Sequence, residues 1–554
     1  MAWLRAFVAI LFFGISIFAQ SQYQTVFEKP KHLDTFHRPI QRVAVVGAGP
    51  AGLPAAAKLI EHNFTVRLFE RAPHPGGNWL YSEETPVRES YPDKPGGLSI
   101  AEIPARLPAK LYHNEGDDGL TLDYRWTEHW QPRPVWYNLF TNSPKVSTEL
   151  PDVPYNPETP WVLSHHTIQR HVRSYASHHC LNSNDHCPAT PSAARVASYS
   201  TRVVKVEKDE ETHTWVLTLR RLERLRESNR TLEEWWTETF DAVVITSGSY
   251  AAAHVPEIEG IVDWSKVKDG GRYSMYHSQS YRHPEPYVGK TVLIVGASIS
   301  ASEIARDISP FAHRIIVSVR PPKVRRGSRR RSLSRFPNIT EFVPEIAAFE
   351  PLESRTDGIR NGKIHLMNGS ILQGIDEIIL ATGYQSYSLY PPDSTRRRPE
   401  NTSWTGHYIP DPTLAYTIGL IHHCFQQFFA MSLTNCMPGR PWTMGRYQSY
   451  GFAKVWEGTA RLPPPEWIDD GSEGPDRGTG SYYLDMWLGE ALFRRYITWL
   501  NAASLEHGGR FIGPPPIEYV PNLECTPPVL SHKQSSGTSS FSTITRWFIS
   551  STTQ

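Results

Sequence analysis

The segment RVAVVGAGPAG, residues 42–52, decides the fold that we expect for this chain. Its four apolar residues at 43–46 predict a short, buried parallel strand. Gly47, Gly49 and Gly52 then match the spacing G-x-G-x-x-G. The first glycine allows a tight turn, the second lets backbone amides approach a pyrophosphate, and the third lets helix and strand pack closely. The segment therefore predicts a dinucleotide-binding unit.

The residues that follow complete this unit. Apolar residues at 53, 56, 57 and 60 recur at helical spacing, and a second strand is predicted at Thr65–Phe69. This strand ends in Glu70, where a carboxylate can bind the ribose hydroxyls of a dinucleotide. Strand, helix, strand and terminal acid at this spacing make an ordinary glycine turn a poor explanation.

A second unit of the same plan, TVLIVGASISA, begins at residue 291. Only Gly296 remains of the three glycines, and Ser298 and Ala301 occupy the other positions, where both are small enough to fit. The next strand is predicted at Ile315–Val319, and its end reads Ser318-Val319-Arg320 instead of carrying an acid. An arginine can pair with the 2′-phosphate of NADPH, which a carboxylate would repel. The alternative is an αβ unit that binds nothing.

Further motifs along most of the chain resemble those of the flavin-containing monooxygenases. They are GGNW at 76–79, YNLFTNSPK at 137–145, HSQSY at 277–281, ATGY at 381–384, its variant TSGSY at 246–250, and RYQSYGFAKVWEGTARLP at 446–463. One departure precedes HSQSY, since Gly271 and Tyr273 stand where the family has Phe and Gly. The order and spacing of these segments make chance a poor explanation.

The resemblance implies an α/β fold with two Rossmann-like dinucleotide-binding domains, the NADPH domain being inserted into the FAD domain. The FAD-binding domain would comprise residues 38–250 and 381–521, and the NADPH-binding domain residues 251–380. Strands of the FAD domain are expected at 201–206, 215–219 and 241–246, with a solvated hairpin extension at 220–234. Besides the two glycine turns and the strand ends, the cofactor-binding residues would be Gly77, Asn78, Trp79, Thr141, Asn142, Thr382 and Gly383.

The resemblance also implies an activity. NADPH would reduce FAD, the reduced flavin would capture molecular oxygen as a C4a-hydroperoxide, and this intermediate would oxygenate a soft nucleophile, an amine or sulfide of a small molecule. Asn142 is expected beside flavin and nicotinamide as the catalytic side chain, because an amide both donates and accepts hydrogen bonds. A capping role in the Asn-Ser-Pro turn is its alternative. His277 and Tyr281 are expected to organise the link between the domains.

Two other functions stay open. A Baeyer–Villiger monooxygenase, which acts on ketones, has a related signature that ends in Trp where this chain has Tyr281. A protein that binds FAD without turnover would be consistent with the altered second glycine turn. A flavin disulfide reductase is disfavoured, because the sequence contains no C-x-x-C. The substrate pocket is expected to form from loops at 107–134 and 422–445.

Composition argues only against a partner, such as nucleic acid, that is bound mainly through the overall charge of the protein. The 554 residues exceed what one hydrophobic core normally serves. Lysine plus arginine number 57 and aspartate plus glutamate 56, so no overall field favours nucleic acid. The basic run at 323–335 is expected to be a solvated loop, with NADPH phosphate binding or partner docking as alternatives.

Histidine and cysteine patterns predict neither a metal centre nor a disulfide scaffold. The pairs at 165–166, 178–179 and 422–423 are neighbours in sequence, so their side chains are expected to diverge. Of five cysteines, Cys180 with Cys187 and Cys424 with Cys436 could form bridges, leaving Cys525. Buried or idle thiols are the alternative.

The amino terminus predicts a secretory address. Residues 1–21 combine one positive charge, an apolar stretch at 6–18 and small residues at the cleavage spacing. The stretch is shorter than the about 20 residues of a membrane span. A secreted or endoplasmic-reticulum lumenal protein is expected; an uncleaved anchor with weak membrane association is the alternative. Glycosylation sequons lie at Asn229, Asn338, Asn368 and Asn401, with doubtful access at Asn63. The Ser/Thr-rich tail, 531–554, is expected to be disordered.

Overall fold

The computed structural model describes residues 36, 38–89, 91–92, 102–150, 152–182, 196–248, 250–320, 333–353, 358–385, 414–416, 441–460, 500–502 and 505. The predicted signal peptide, the predicted tail, most of the basic run at 323–335, most of the loop at 422–445 and Asn401 lie outside the described residues.

Helices and strands alternate in the two predicted units. The helices are α1 (Gly52–Glu61), α2 (Leu122–Trp130), α3 (His165–His178), α4 (Ile261–Ser265), α5 (Ile299–Ile308) and α6 (Pro441–Trp456). The strands are β1 (Arg42–Val46), β2 (Thr65–Phe69), β3 (Ala109–His113), β4 (Ala197–Ser198), β5 (Thr201–Asp209), β6 (Thr214–Leu225), β7 (Arg230–Phe240), β8 (Ala242–Ile245), β9 (Ala252–Ala253), β10 (Lys268–Asp269), β11 (Arg272–Tyr273), β12 (Met275–His277), β13 (Thr291–Val295), β14 (Arg314–Ser318), β15 (Thr340–Val343), β16 (Ile346–Phe349), β17 (Ile364–Leu366), β18 (Ile371–Leu372), β19 (Glu377–Leu380), β20 (Tyr384–Gln385) and β21 (Leu414–Tyr416).

The first unit is a parallel sheet of five strands in the order β4-β2-β1-β8-β21. Its central strand β1 is apolar and buried because neighbouring strands lie on both sides, helices α1, α3 and α6 pack on one face, and the antiparallel strands β5, β6 and β7 pack on the other. Val46, the last residue of β1, is level with Phe69 of β2 and Ile245 of β8. The carboxyl ends of the three strands therefore lie at one edge, where doubly wound sheets bind ligands.

The second unit repeats this sheet in the order β15-β14-β13-β19-β12, again all parallel. Helix α5 connects β13 to β14, as α1 connects β1 to β2. The predicted fold class, with two Rossmann-like units, is confirmed. The predicted domain boundaries stay a prediction.

Two connections between the units pair with each other. β9, on the way into the second unit, and β20, on the way out, form an antiparallel ribbon. His254 donates its amide hydrogen to the Gly383 carbonyl at 2.9 Å, and the Thr382 hydroxyl donates to the His254 carbonyl. The chain segments that enter and leave the second unit are thus held against each other.

A four-stranded antiparallel sheet, β3-β7-β6-β5, corrects one sequence prediction. Residues 107–134 were expected to be a loop of the substrate pocket, but they contain edge strand β3 and helix α2. The prediction was wrong because β3 is largely exposed and has no apolar run to mark it. It is held by pairing along β7 instead.

The hairpin of β6 and β7 corrects a second sequence prediction. We expected it to be solvated, but Arg220 and Glu233 are 4% and 5% exposed. Arg220 lies between Glu128 of α2 and Glu233, at 2.6 and 2.8 Å. Burial alone would raise the pKa of Glu233, but Arg220 lowers it overall. The hairpin and its exposed turn at 226–229 agree with the expectation, but one face is buried because Glu128, 92 residues before Arg220 in the chain, packs against it.

Two remaining features concern the outside of the fold. Among the described helices, none is long and apolar enough to cross a membrane. Cys180 forms a disulfide, and the other four cysteines lie outside the described residues.

Candidate active site

The first glycine turn joins β1 to α1 and is closed by its own neighbours. Gly47 has φ +112°, and a Cβ there would lie 2.8 Å from the Thr246 carbonyl oxygen. A Cβ at Gly52 would lie 1.8 Å from the Gly47 carbonyl oxygen. Both positions therefore require glycine. Helix α1 has no side-chain cap at its first turn, although the Leu53 amide already donates to the Gly49 carbonyl at 3.1 Å and Pro54 carries no amide hydrogen. The positive end of the helix dipole at this turn favours an anion.

The GGNW segment faces this turn. Gly76 donates its amide hydrogen to the Ala48 carbonyl at 3.1 Å, and a Cβ at Gly77 would lie 2.8 Å from the Gly49 Cα. Gly77 has φ +57°, so two glycine-bearing loops approach backbone to backbone. Asn78 and Trp79 continue as a short 3₁₀ turn that is partly exposed. The loops form a narrow cradle that side chains would fill.

Glu70 lies at the end of β2 and is 4% exposed. Its carboxylate accepts hydrogen bonds from the amides of Ala48, at 2.9 Å, and Ala72, at 2.8 Å. Arg133 donates to the same carboxylate at 3.0 Å and is itself buried. A carboxylate can accept about four hydrogen bonds, so capacity is left for ribose hydroxyls. Sequence reasoning missed Arg133, because only the fold brings it to Glu70.

The second glycine turn also packs closely against neighbouring backbone, but at only one glycine. Gly296 has φ +106°, and a Cβ there would lie 2.5 Å from the Ala381 carbonyl oxygen. Ser298 caps α5 in extended geometry without a side-chain hydrogen bond. Ala301 is fully buried, so helix and strand accommodate its methyl group. Glycine is required at the first position only.

The end of β14 carries the two residues predicted to bind the NADPH phosphate. The Ser318 hydroxyl is buried and donates to the Pro344 carbonyl at 3.0 Å. Arg320 is exposed and pairs with Glu345 at 2.8 Å. A 2′-phosphate would have to replace or share that pair, so Arg320 reaches such a ligand only in competition with an acid.

The YNLFTNSPK segment lies between the two units. Thr141 is buried; its amide donates to the Leu163 carbonyl at 2.8 Å, and the Leu163 amide donates to the Thr141 hydroxyl at 3.0 Å. The Thr141 hydroxyl in turn donates to the Ser143 carbonyl at 2.8 Å. Asn142 is thereby held in a fixed turn and is partly exposed. Lys145 donates to the Pro157 and Thr159 carbonyls, at 2.8 Å each.

The HSQSY segment connects the second unit to this turn. His277 is fully buried, and its Nε2 lies 2.9 Å from the Gly383 carbonyl while Nδ1 accepts from the Gln279 amide. The Tyr281 hydroxyl donates to Asp307 of α5 at 2.6 Å. Burial raises the pKa of Asp307, although the Tyr281 hydrogen bond opposes this. The sequence analysis did not predict a role for Asp307, because the spacing of residues in helix α5 does not indicate its hydrogen bond with Tyr281.

The adjacent histidines correct another expectation. The ring centroids of His165 and His166 are 3.8 Å apart and those of His178 and His179 4.8 Å apart, so these pairs do not diverge. Burial lowers the pKa of His165 to about 4, and its Nε2 lies 3.0 Å from the Tyr137 carbonyl. Within the described part of the chain, no group of three or more potential ligands is arranged to hold a metal ion.

The cradle fits the pyrophosphate of a dinucleotide on geometric grounds. At Gly47, Gly52 and Gly77 a Cβ would collide with backbone, which is the mark of a turn shaped for close approach. Glu70 lies beside the same turn, since it accepts the Ala48 amide hydrogen at 2.9 Å. In the second unit the turn at Gly296 fits a second dinucleotide.

Comparisons with known proteins agree with these features. The flavin-binding monooxygenase-like family matches residues 122–327, and an NAD(P)-binding Rossmann-like domain matches residues 45–106. The flavin-containing monooxygenase iboF of Amanita muscaria is 33% identical over 509 residues, covering 86% of this chain and 91% of that protein. The flavin-containing monooxygenase ustF2 of Aspergillus flavus is 31% identical over 466 residues, covering 76% and 83%.

Two solved structures share the fold. The S-allyl-L-cysteine S-oxygenase from Allium sativum is 20% identical with a TM-score of 0.51, covering 85% of this chain and 90% of that one. Tmm from Pelagibacter is 16% identical with a TM-score of 0.52, covering 84% and 86%. With both glycine turns, the linking segments and relatives along nearly the whole chain in agreement, this protein belongs to the flavin-containing monooxygenases, oxidoreductases that use FAD and NADPH.

Proposed function

We propose that this monooxygenase transfers one oxygen atom of O₂ to a soft nucleophile, the nitrogen of an amine or the sulfur of a sulfide, on a small molecule. The observation that carries this choice is the Tyr281 hydroxyl, which donates to Asp307 at 2.6 Å. The Baeyer–Villiger signature has Trp at this position, and an indole carries its single N–H donor on a larger ring in place of the phenol hydroxyl that makes this bond. Tyr281 therefore supports the amine- and sulfide-oxygenating branch over the ketone-oxygenating one.

The chain's own residues have distinct duties in this proposal. The glycine turn from Gly47 to Gly52 and the GGNW loop, with Gly77, Asn78 and Trp79, hold the pyrophosphate end of FAD, and Glu70 holds its ribose. The turn at Gly296 holds NADPH, with Thr382 and Gly383 at the crossing back to the first unit. Redox and oxygen chemistry come from bound FAD. The protein supplies orientation and exclusion of water.

Asn142 is the side chain that we place at the reacting centre. Its amide can donate and accept hydrogen bonds without releasing a proton. The turn around Thr141 supports this role, since its bonds at 2.8 and 3.0 Å hold the backbone on both sides of Asn142. The same bonds also suit a purely structural turn, so a variant has to separate the two roles.

The substrate class is tested by supplying a thioether, a tertiary amine and a cyclic ketone side by side with NADPH and air. The expected products are a sulfoxide or an N-oxide, with the ketone left unchanged. Conversion of the ketone into an ester, with thioether and amine untouched, would show that the Tyr281 argument is wrong. A flavin that NADPH does not reduce, with no product from any of the three compounds, would favour a protein that binds FAD without turnover.

The role of Asn142 is tested with Asn142→Ala. Flavin content near that of the parent is expected, with a larger share of the consumed NADPH appearing as hydrogen peroxide. Asn156→Ala is the matched control, because Asn156 caps an exposed turn through the Glu158 amide. Lower thermal stability and less flavin in Asn142→Ala, with unchanged coupling, would instead assign Asn142 to the turn.

We further propose that the protein enters the secretory pathway and is glycosylated. Exposure of Asn229, Asn338 and Asn368 supports this, since each sequon is accessible at the surface. Asn63, where we expected doubtful access, is also exposed, at φ +64° in the turn after α1. Expression in a eukaryotic secretory host should remove 19 to 21 residues, as the small residues at the cleavage spacing indicate, and add glycans. An intact Met1 without a mass shift on deglycosylation would contradict both parts.

A further inference from the structure

Arg282, the residue after the HSQSY segment, uses every donor of its side chain. The guanidinium has five N–H groups, and it is 7% exposed. All of its acceptors are backbone carbonyls: Nε donates to Ser82 at 2.9 Å, Nη1 to Gln279 and Tyr281 at 2.8 Å each, and Nη2 to Glu84 at 2.7 Å and Arg133 at 3.2 Å. A buried cation is costly unless its donors are met, and here all five are.

These carbonyls come from three separate parts of the chain. Ser82 and Glu84 follow the GGNW loop, Arg133 precedes the YNLFTNSPK segment, and the third part is HSQSY itself. Within the described residues, Arg282 makes no ion pair with a carboxylate. Burial lowers its pKa to about 10, so it stays charged at neutral pH. The Arg282 side chain therefore acts as a hub: it holds the backbone carbonyls of three chain segments together. The fixed directions of its N–H groups determine these contacts, not attraction to a carboxylate.

The stretch at 133–138 is held at two further points from the same side. The Tyr137 amide donates to the Arg282 carbonyl at 2.9 Å. The Asn138 side chain donates to Asp307, on helix α5 of the second unit, at 3.0 Å. Asn142 follows four residues after Asn138. Arg282 and Asp307 thus fix the start of the segment that carries Asn142 relative to the NADPH-binding unit.

We propose that Arg282 is a positioning residue that keeps the Asn142 segment and the GGNW loop in register with the NADPH-binding unit, and that hydride transfer from NADPH to FAD depends on it. Arg282 touches neither cofactor in this account. A displacement of about 1 Å at a reacting centre can cost about a hundredfold in rate. Loss of the hub should therefore slow transfer between the cofactors while each still binds to its own unit.

The test uses Arg282→Lys and Arg282→Met in the flavin-loaded protein. Lysine keeps the charge, but its three N–H donors all belong to a single nitrogen, so they cannot reach carbonyls in three chain segments. Arg272→Met is the matched control, an arginine of the same unit that pairs with Glu377 at 3.1 Å. Four quantities are measured: FAD content, the NADP⁺ dissociation constant, the rate of anaerobic flavin bleaching by NADPH, and the rate of bleaching by dithionite.

Both Arg282 variants should retain FAD, NADP⁺ affinity and the dithionite rate, and should lose about tenfold or more in bleaching by NADPH. Hydrogen exchange at the Tyr137 amide should rise in both, with Arg272→Met like the parent in every measurement. If Arg282→Met does not fold, Arg282→Lys decides. A parent-like NADPH rate in Arg282→Lys overturns the proposal. So does a variant that loses flavin and thermal stability while its flavin-loaded fraction is reduced at the parent rate.

Discussion

The two nucleotide-binding units share a sheet order but differ in how tightly their turns are built. The first requires glycine at Gly47 and Gly52, and its strand ends in a buried acid held by a buried arginine. The second requires glycine only at Gly296, and its strand ends in an exposed pair of Arg320 with Glu345. Backbone and buried charge shape the first site, whereas exposed side chains shape the second.

This difference indicates how each unit treats its cofactor. A closed backbone cradle with a satisfied buried carboxylate suits a cofactor that stays bound through many turnovers. An exposed ion pair costs little to rearrange, which suits a coenzyme that binds and leaves. Matched substitutions in the two units should therefore have unequal effects.

Gly52→Ala should abolish FAD binding and with it the yellow colour. The new Cβ would lie 1.8 Å from the Gly47 carbonyl oxygen, so helix and turn must separate. Its counterpart, Ala301→Gly, should cost only about 1 kcal/mol in stability through helix propensity and should leave NADP⁺ binding in place. Flavin absorbance and calorimetric titration of NADP⁺ measure the two. Full flavin in Gly52→Ala would mean that the first turn is wrongly described.

Arg133→Met should destabilise the protein by about 3 to 5 kcal/mol, because it leaves the buried Glu70 carboxylate without its cation. The FAD dissociation constant should rise as well. Denaturant unfolding of the parent and the variant gives the difference in free energy. The matched change in the second unit, Arg320→Met, should stay within about 1 kcal/mol, since that pair is exposed. Similar losses in both variants would remove the contrast between the units.

Acidification should weaken the first unit through His171. Burial lowers the pKa of His171 to about 4 from its usual value of 6.5, and its Nε2 accepts the Leu150 amide hydrogen at 2.9 Å. The unfolded chain therefore binds more protons between these values, so stability falls as pH drops from 6.5 towards 4. The loss by pH 5 should be about 2 kcal/mol.

His171→Gln keeps an acceptor for the Leu150 amide but does not titrate. Thermal unfolding of both proteins from pH 7 to pH 5 should show a smaller pH dependence in the variant. An identical dependence in both proteins would rule out His171 as its source.

The smallest effect should be a change in coenzyme preference. Arg320→Ala should weaken the binding of NADPH by about 1 kcal/mol, roughly fivefold, and leave the binding of NADH unchanged, because only NADPH carries the 2′-phosphate. Glu345→Gln should act in the opposite sense, because it frees Arg320 from its competing acid. KM values for both coenzymes measure this. Equal losses for NADPH and NADH in Arg320→Ala would make Arg320 structural and direct attention to Arg325 and Arg326.

Local patterns were sufficient to predict both units. Glycine spacing, apolar strands and the acid after β2 lie within about thirty residues of each other, so the sequence alone predicted their fold and several binding residues. The contacts that join distant segments were not predictable in this way. Arg133 meets Glu70, and Arg282 meets three carbonyl-bearing segments, only because the fold brings them together.

Charged residues misled the prediction for a related reason. Arg220 and Glu233 lie in a charged stretch whose sequence resembles a solvated hairpin, and only the packing of Glu128 against it makes one face buried. The pattern of charges on a strand is the same whether the partner is water or an acid from a distant helix. Side-chain partners therefore need the tertiary structure, whereas the type of unit does not.

The most direct test of the account is to mix the purified yellow protein with NADPH under nitrogen and then admit air with a thioether. If the two units pass electrons from NADPH to FAD, the yellow colour should bleach under nitrogen. It should return with oxygen as sulfoxide accumulates. A flavin that dithionite bleaches but NADPH leaves yellow would contradict the account, because the second unit would then take no part in reduction.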